Sequence, residues 1–213
     1  MVAFSTNQVS LSALGRFTDV VRLRTGETLI IRFVTLGDGD ALQSYFRSLS
    51  PRSRYNRLMG AASELSPLEL DKTLRVGENS RFAVIAEMKV DGMSTVVGEA
   101  RYSYDATSRG GEFGLSIGDA WQGRGIGSTM LANLECRSAA LGAVRAVGET
   151  FRNNEQMIGL ARKSGYDFMP APYDWRQVRL EKVLQRGHAD LRCESSKHAA
   201  IIDQLTLTAL SVA

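Results

Sequence analysis

The sequence predicts an α+β fold: a mixed, mostly antiparallel central sheet with helices on both faces. Three observations predict it. Strand-like runs over 81–90, 95–104 and 112–118 follow one another through short turn signals, which makes an antiparallel meander. Helical patterns precede that meander, between residues 40 and 74, and a longer one follows it from about 125 to 140. The remaining order is strand, helix, strand, strand, which is not the strict alternation of a doubly wound parallel sheet.

The elements follow in order. Residues 1–26 lack clear periodicity and read as an N-terminal arm or short leading element. Thr28 to Val34 (TLIIRFV) is a first strand. The turn Gly37-Asp38-Gly39 leads into a helix with Leu42, Tyr45, Phe46 and Leu49 at helical spacing. Ser50-Pro51 stops it, and a second helical stretch runs through Tyr55 and Leu58. Ser66-Pro67-Leu68-Glu69 places an N-cap serine, a proline at the first position and a glutamate three after the cap, so a helix runs from there to about Leu74. Arg81–Val90 and Thr95–Tyr104 form a hairpin across Asp91-Gly92. A turn at 107–111 precedes the strand Glu112–Gly118, and a glycine-rich loop then opens a helix whose apolar stripe is Ile126, Met130, Leu131 and Leu134, closed by Gly142. Ala143–Phe151 is a strand, Asn154–Ser164 a helix closed by Gly165, and Tyr166–Met169 and Gln177–Leu184 are closing strands. The domain therefore spans 27–184. In 185–213, Ile201, Ile202, Leu205, Leu207 and Leu210 predict an amphipathic C-terminal helical extension used for packing or for a homodimer.

Composition excludes several classes. At 213 residues, 44% hydrophobic and 23% charged, the chain is an ordinary globular domain with short extensions. No apolar run approaches the ~18–20 residues of a membrane span, and the N-terminus has no signal-like block, so a cytoplasmic location and no membrane partner are expected. Twenty-six Lys+Arg against 23 Asp+Glu give a net charge of +3, but the basic residues are interleaved with acids and the denser stretch Arg47–Arg57 lacks a base-reading module, so no nucleic-acid partner is expected. Cys136 and Cys193 stand in contexts that predict no pairing, and His188 and His198 both fall in the tail, so neither Cys/His catalysis nor a metal site is expected.

Chemistry concentrates in Trp121-Gln122-Gly123-Arg124-Gly125-Ile126-Gly127-Ser128, between a strand and a helix. Glycines let the backbone turn tightly there, and the helix start offers unpaired N–H groups with positive potential, so the loop is either a pyrophosphate site or a plain turn. It is not a Rossmann fingerprint, because Gly123-x-Gly125-x-Gly127 has the wrong spacing and follows a meander; it is not a P-loop, because it has no lysine.

Gln122-Gly123-Arg124-Gly125-Ile126-Gly127 resembles the acyl-CoA loop of the GNAT (Gcn5-related N-acetyltransferase) superfamily. A second motif, Asn154, Met157, Leu160, Lys163, Gly165 and Tyr166, is similar to that family's following helix. Leu49 to Arg57, Glu64 to Leu70, Asp119 to Gly125 and Val147-Gly148-Glu149 further resemble the acetyltransferase domain of bacterial Pat-type protein lysine acetyltransferases. The resemblance implies the GNAT fold with acyl-CoA bound where the two central strands splay, acetyl-CoA as co-substrate, no metal, and direct attack by a free amine on the thioester. It implies cofactor contacts from Leu115, Ser116 and Ile117 along the strand, from Gln122, Gly123, Arg124, Gly125, Ile126, Gly127 and Ser128 in the loop, and from Asn154, which as a helix N-cap has an equally good structural reason to be there. For the base that deprotonates the amine it offers Glu112 first, Glu149 second and Glu99 as a weaker third, each also readable as a strand carboxylate paired with an arginine. The tyrosine that protonates the leaving thiolate in the family falls at Ala161, and Tyr166 reads as core, so no general acid is assigned. The expected function is acetyl transfer to lysine ε-amines of a protein such as an acyl-CoA synthetase. A small-molecule amine acceptor and a non-catalytic acyl-CoA sensor are the alternatives.

Overall fold

The computed structural model describes residues 18–77, 81–105 and 107–184. The first 17 residues and the extension at 185–213 lie outside the described residues, and with them the expected terminal helix, Cys193 and both histidines. The elements are β1 (Asp19–Arg22), β2 (Thr28–Phe33), α1 (Gly39–Ser48), α2 (Pro51–Leu58), α3 (Pro67–Leu74), β3 (Arg81–Val90), β4 (Met93–Asp105), β5 (Gly110–Ile117), α4 (Ile126–Ala140), β6 (Arg145–Phe151), α5 (Glu155–Lys163), β7 (Asp167–Pro170) and β8 (Gln177–Val183). They form one eight-stranded sheet in the order β1-β2-β3-β4-β5-β6-β8-β7. Every neighbouring pair is antiparallel except β5 with β6. The α+β reading, mostly antiparallel with helices on both faces, is what the structure shows.

Local chemistry explains most boundaries. Ser50 caps α2 by accepting from Ser53 N at 3.2 Å, and Ser66 caps α3 by accepting from Glu69 N at 3.2 Å, each followed by proline at the first helical position. Gly142, at φ 94°, ends α4, and Gly165, at φ 78°, ends α5. The hairpin expected at Asp91-Gly92 joins β3 to β4, with both residues at positive φ.

Burial on both faces explains why β3 reads as a nearly continuous apolar run. Phe82, Val84, Ala86 and Met88 join Met130, Leu131 and Leu134 of α4 in the larger core. Ala83 and Ile85 point the other way, against Leu42 of α1 and the α3 residues Leu70 and Leu74. Alternation along a strand puts successive side chains on opposite faces, so one strand serves two cores.

The leading segment contributes more than an arm. Asp19 to Arg22 pair with Thr28 to Ile31, so β1 extends the sheet edge. Asp19 also accepts from Asn133 Nδ2 and Arg137 Nη2 of α4, both at 2.7 Å, with Arg137 fully buried. Four residues with one buried acid carry too little periodicity to be recognised as a strand. Cys136, expected to be unpaired, is disulfide-bonded; spacing alone gave no sign of it.

Gly111 of β5 is required by a close approach. A Cβ there would lie 1.9 Å from Tyr102 Cζ and 2.0 Å from its hydroxyl oxygen, and Tyr102 is buried with no room to retreat. Gly111→Ala is expected to cost about 3 kcal/mol by overpacking, which lowers the melting temperature by roughly 6–12 °C for a chain of this size. A variant melting within 2 °C of wild type contradicts this packing.

Candidate active site

The site begins where a strand pairing ends. β5 and β6 are joined through Gly110–Arg145, Gly111–Ala146 and Glu112–Val147 and no further. Beyond that point β4 stays with β5 as far as Ile117, and β8 stays with β6 as far as Phe151. Each strand is thus held by its outer neighbour while the facing edges, 113–117 and 148–151, diverge. Backbone N–H and C=O groups on those edges face a wedge, part of a groove of about 1690 Å³. Unpaired strand edges of this kind accept an extended ligand as an added strand.

The glycine loop closes the wide end. Gly123 and Gly125 have φ of 77° and 87°, in the left-handed region, with nothing within 4 Å of a Cβ at either. The requirement there is backbone conformation, not space. The first hydrogen bond of α4 runs from Thr129 N to Gly125 O at 3.1 Å, so the N–H groups of Ile126, Gly127 and Ser128 point out of the helix end. No acidic residue stands in that first turn to oppose an anion.

The loop side chains are occupied with the loop itself. Gln122 Nε2 donates to Ile117 O at 3.0 Å, so Gln122 ties the loop to the end of β5. Arg124 pairs with Glu27 at 3.1 Å and lies 4.8 Å over the Trp121 ring. Ser128 Oγ donates to Gly125 O at 2.8 Å. Ile126 does not line the groove: its side chain is buried in the core, so only its N–H can serve a ligand. Leu115 and Ile117 line the groove while packing against the core, and the Ser116 hydroxyl is taken by Tyr45 at 3.0 Å. Exposed Lys163 lines the groove, where the sequence marks it only as part of the second motif.

Asn154 caps α5. Its Oδ1 accepts from Met157 N at 3.3 Å and its Nδ2 donates to Thr150 Oγ1 at 2.9 Å, while the residue also lines the groove. Ala161 is fully buried, and Tyr166 packs in the core with its ring 5.5 Å from that of Phe113. Burial pushes the Tyr166 phenol far above its ordinary value, so it holds its proton firmly.

The three glutamates have different surroundings. Glu112 sits at the narrow end of the wedge, exposed, lining the groove, with no hydrogen bond or ion pair to the described residues. Glu149, on the opposite edge, is within 3.8 Å of Arg179 on β8. Glu99 is 3% exposed and fully engaged: Arg57 donates to it through Nε and Nη2 at 3.0 Å, and Arg101 donates through Nε. Burial alone would raise the Glu99 pKa, but Arg101 and Arg57 hold it below the usual carboxylate range. A carboxylate so enclosed fixes charge and does not carry protons.

One polar clamp joins the two sides of the groove. Asp119, just before the loop, accepts from Ser50 N at 2.8 Å, Ser50 Oγ at 2.9 Å and Ser53 Oγ at 2.7 Å. The start of α2 is thereby fixed to the loop.

With this geometry in place, comparison with known proteins is direct. The acetyltransferase (GNAT) family model matches residues 43–166. Acetyltransferase PA5475 of Pseudomonas aeruginosa is 28% identical over 115 residues, 54% of this chain and 62% of that protein. The chain thus spans less than two thirds of that relative's length. The GNAT domain of S. lividans PAT superposes with a TM-score of 0.71 at 25% identity, covering 78% of this chain and 97% of that domain. The fold is shared with yncA of Salmonella typhimurium, solved with its cofactor acetyl-CoA (TM-score 0.60, 17% identity, 78% of this chain and 99% of that one). It is shared too with a cAMP-binding acyltransferase from Mycobacterium smegmatis (TM-score 0.57, 20% identity, 90% of this chain and 58% of that one).

The Asp119 clamp makes a pH-dependent prediction. Burial would raise its carboxyl pKa, but the donors from Ser50 and Ser53 hold it below the ordinary aspartate range. A depressed native pKa adds stability above the unfolded value of ~3.9, and that stability is lost as pH falls through the native value. Asp119→Asn is expected to lower the melting temperature by about 2–4 °C, for a loss of ~1 kcal/mol, equally at every pH from 8 down to 5. The gap should close as pH drops below ~4. A gap that persists undiminished in acid contradicts the clamp.

Proposed function

Because the chain belongs to the acetyltransferase (GNAT) family, its match covering residues 43–166, we propose that it transfers the acetyl group of acetyl-CoA to the ε-amine of lysine in a protein substrate. The observation that carries the transferase reading is the wedge: two diverging strand edges with a free carboxylate, Glu112, at the narrow end and a helix N-terminus at the wide end. Acetyl-CoA, held there, supplies the activated acyl group. The residues present suit it. The N–H groups of Gly123 to Ser128 suit the pyrophosphate, the open edge at Leu115, Ser116 and Ile117 suits the amide-bearing arm, and Lys163 adds a cation to the groove lining. Asn154 serves α5 as its cap while lining the same groove.

Glu112 is the base. It is exposed and unpaired among the described residues, so it is free to take a proton from the amine through a water. Glu149, on the other edge, shares its charge with Arg179 and is assigned to holding the amine, not to deprotonating it.

A protein acceptor is supported by two features. The likeness to the PAT domain covers 97% of that domain at 25% identity. The loop leading into Gln177, itself a groove residue, presents Tyr173 and Trp175 at 97% and 83% exposure. Bare aromatics beside an open mouth suit contact with another macromolecule.

Glu112→Gln is expected to reduce kcat on a lysine peptide at least ~100-fold, with acetyl-CoA affinity in a calorimetric titration unchanged within about threefold, well under 1 kcal/mol. Full turnover by that variant removes Glu112 from the role. Tight acetyl-CoA binding with no thiol released on addition of any amine acceptor would identify a sensor. Gly125→Ala must hold an alanine in the left-handed region at ~1–2 kcal/mol, so acetyl-CoA is expected to bind roughly tenfold more weakly. Undiminished binding would place the pyrophosphate elsewhere.

A further inference from the structure

The strand face that carries Glu112 also carries a buried charge whose sign is unbalanced. Arg57 of α2 and Arg101 of β4 both bind Glu99, a group of two cations and one anion with net charge +1. Side-chain exposure is 10% for Arg57 and 4% for Glu99. Arg57 uses Nε and Nη2 on Glu99. Its third nitrogen, Nη1, is engaged by no described residue and lies over β5, 2.8 Å from where a Cβ at Gly114 would stand. Glycine at 114 is therefore what lets the guanidinium lie against the face of β5 where its edge is open. Burial lowers the Arg57 pKa and Glu99 opposes that; guanidinium stays protonated in proteins. Tyr45 of α1, whose hydroxyl is bound to Ser116, also acts on this group, while Glu112 on β5 and Glu149 on β6 line the same groove.

Gly114 lies in the diverging stretch of β5, two residues past the last pair with β6. A ligand anchored at the loop and laid along that edge has its far end beside Gly114. We propose that Arg57 is a catalytic residue that stabilises the leaving sulfur through Nη1, in place of the general acid that Ala161 cannot provide. The inference rests on the acyltransferase reading above. In the step, the amine lone pair forms the C–N bond and the C–S electron pair departs on sulfur. One amine proton passes to Glu112 through water, and the thiolate keeps its charge against the guanidinium until solvent protonates it. No proton comes from Arg57. A fixed cation beside a thiol favours the thiolate.

The test is the thiol ionisation of bound coenzyme A, followed by thiolate ultraviolet absorbance during a pH titration of the full chain. In the wild type the bound thiol is expected to ionise at least one unit below the ~8.5 of a free thiol. In Arg57→Gln, where Glu99 keeps Arg101, it should return to ~8.5 or above, with kcat reduced at least tenfold. Arg57→Lys, which retains the charge, should recover part of both. Bound coenzyme A ionising at or above ~8.5 in the wild type overturns the proposal and leaves the acyltransferase reading standing. Failure of coenzyme A to bind overturns both. A Gln variant with normal kcat and an unmoved thiol shows Arg57 to be structural.

Discussion

The parallel pairing of β5 with β6 stops at Glu112 and Val147, and the rest of the site depends on that stop. A sheet normally satisfies strand edges by continuing the ladder. Here the ladder is released on its inner side while β4 and β8 keep the two strands ordered from outside. The released edge is rigid because its other edge remains bonded, so it can present hydrogen-bonding groups without losing order. The antiparallel meander is thus the support that allows a gap at the centre of the sheet.

Around that gap the two faces do different work. The face under α4 and α5 is apolar, with Met130, Leu131 and Leu134 packed on the strands. The face under α1 and α2 holds Glu99, Arg57 and Arg101 where hydrocarbon would have packed as well. A buried ion group is weak evidence for stability, because desolvation offsets most of the attraction. Its retention beside the wedge is better explained by the field it sets there: a positive surplus on this face favours a departing anion. Asp119 then fixes the start of the helix bearing Arg57 to the loop, so both ends of the groove are referred to one frame.

Local rules made most of this visible in the sequence. Caps at Ser50 and Ser66, the hairpin at Asp91-Gly92 and the helix ends at Gly142 and Gly165 are decided within a few residues, and the structure has them where the sequence places them. The loop is legible through its resemblance to the GNAT acyl-CoA loop, because its glycines taken alone read equally as a plain turn. β1 was not, since its reason is a partner strand and a buried contact with α4 far along the chain. Arg57 was likewise hidden. Within Arg52-Ser53-Arg54-Tyr55-Asn56-Arg57 it looks like a solvated arginine among others, and only folding brings it over Gly114 and against Glu99. Glu99 reads as a base on position alone; its two arginines, from different elements, are what remove it from that role.

The loop's own side chains bear on how it would receive the anion proposed for it. Gln122 is bonded to Ile117 O, Arg124 to Glu27, and the Ser128 and Thr129 hydroxyls both to Gly125 O. Every one of these contacts fixes the loop's shape, and what is left facing outward is main chain: the N–H groups of the first helical turn. Recognition by backbone dipoles needs no side-chain reordering when a ligand arrives, so the ordering entropy is met at folding and not at binding. It also makes the site depend on backbone conformation more than on residue identity. The positive φ at Gly123 and Gly125 is therefore the sequence's main constraint on the loop, and the polar residues between them serve to hold it.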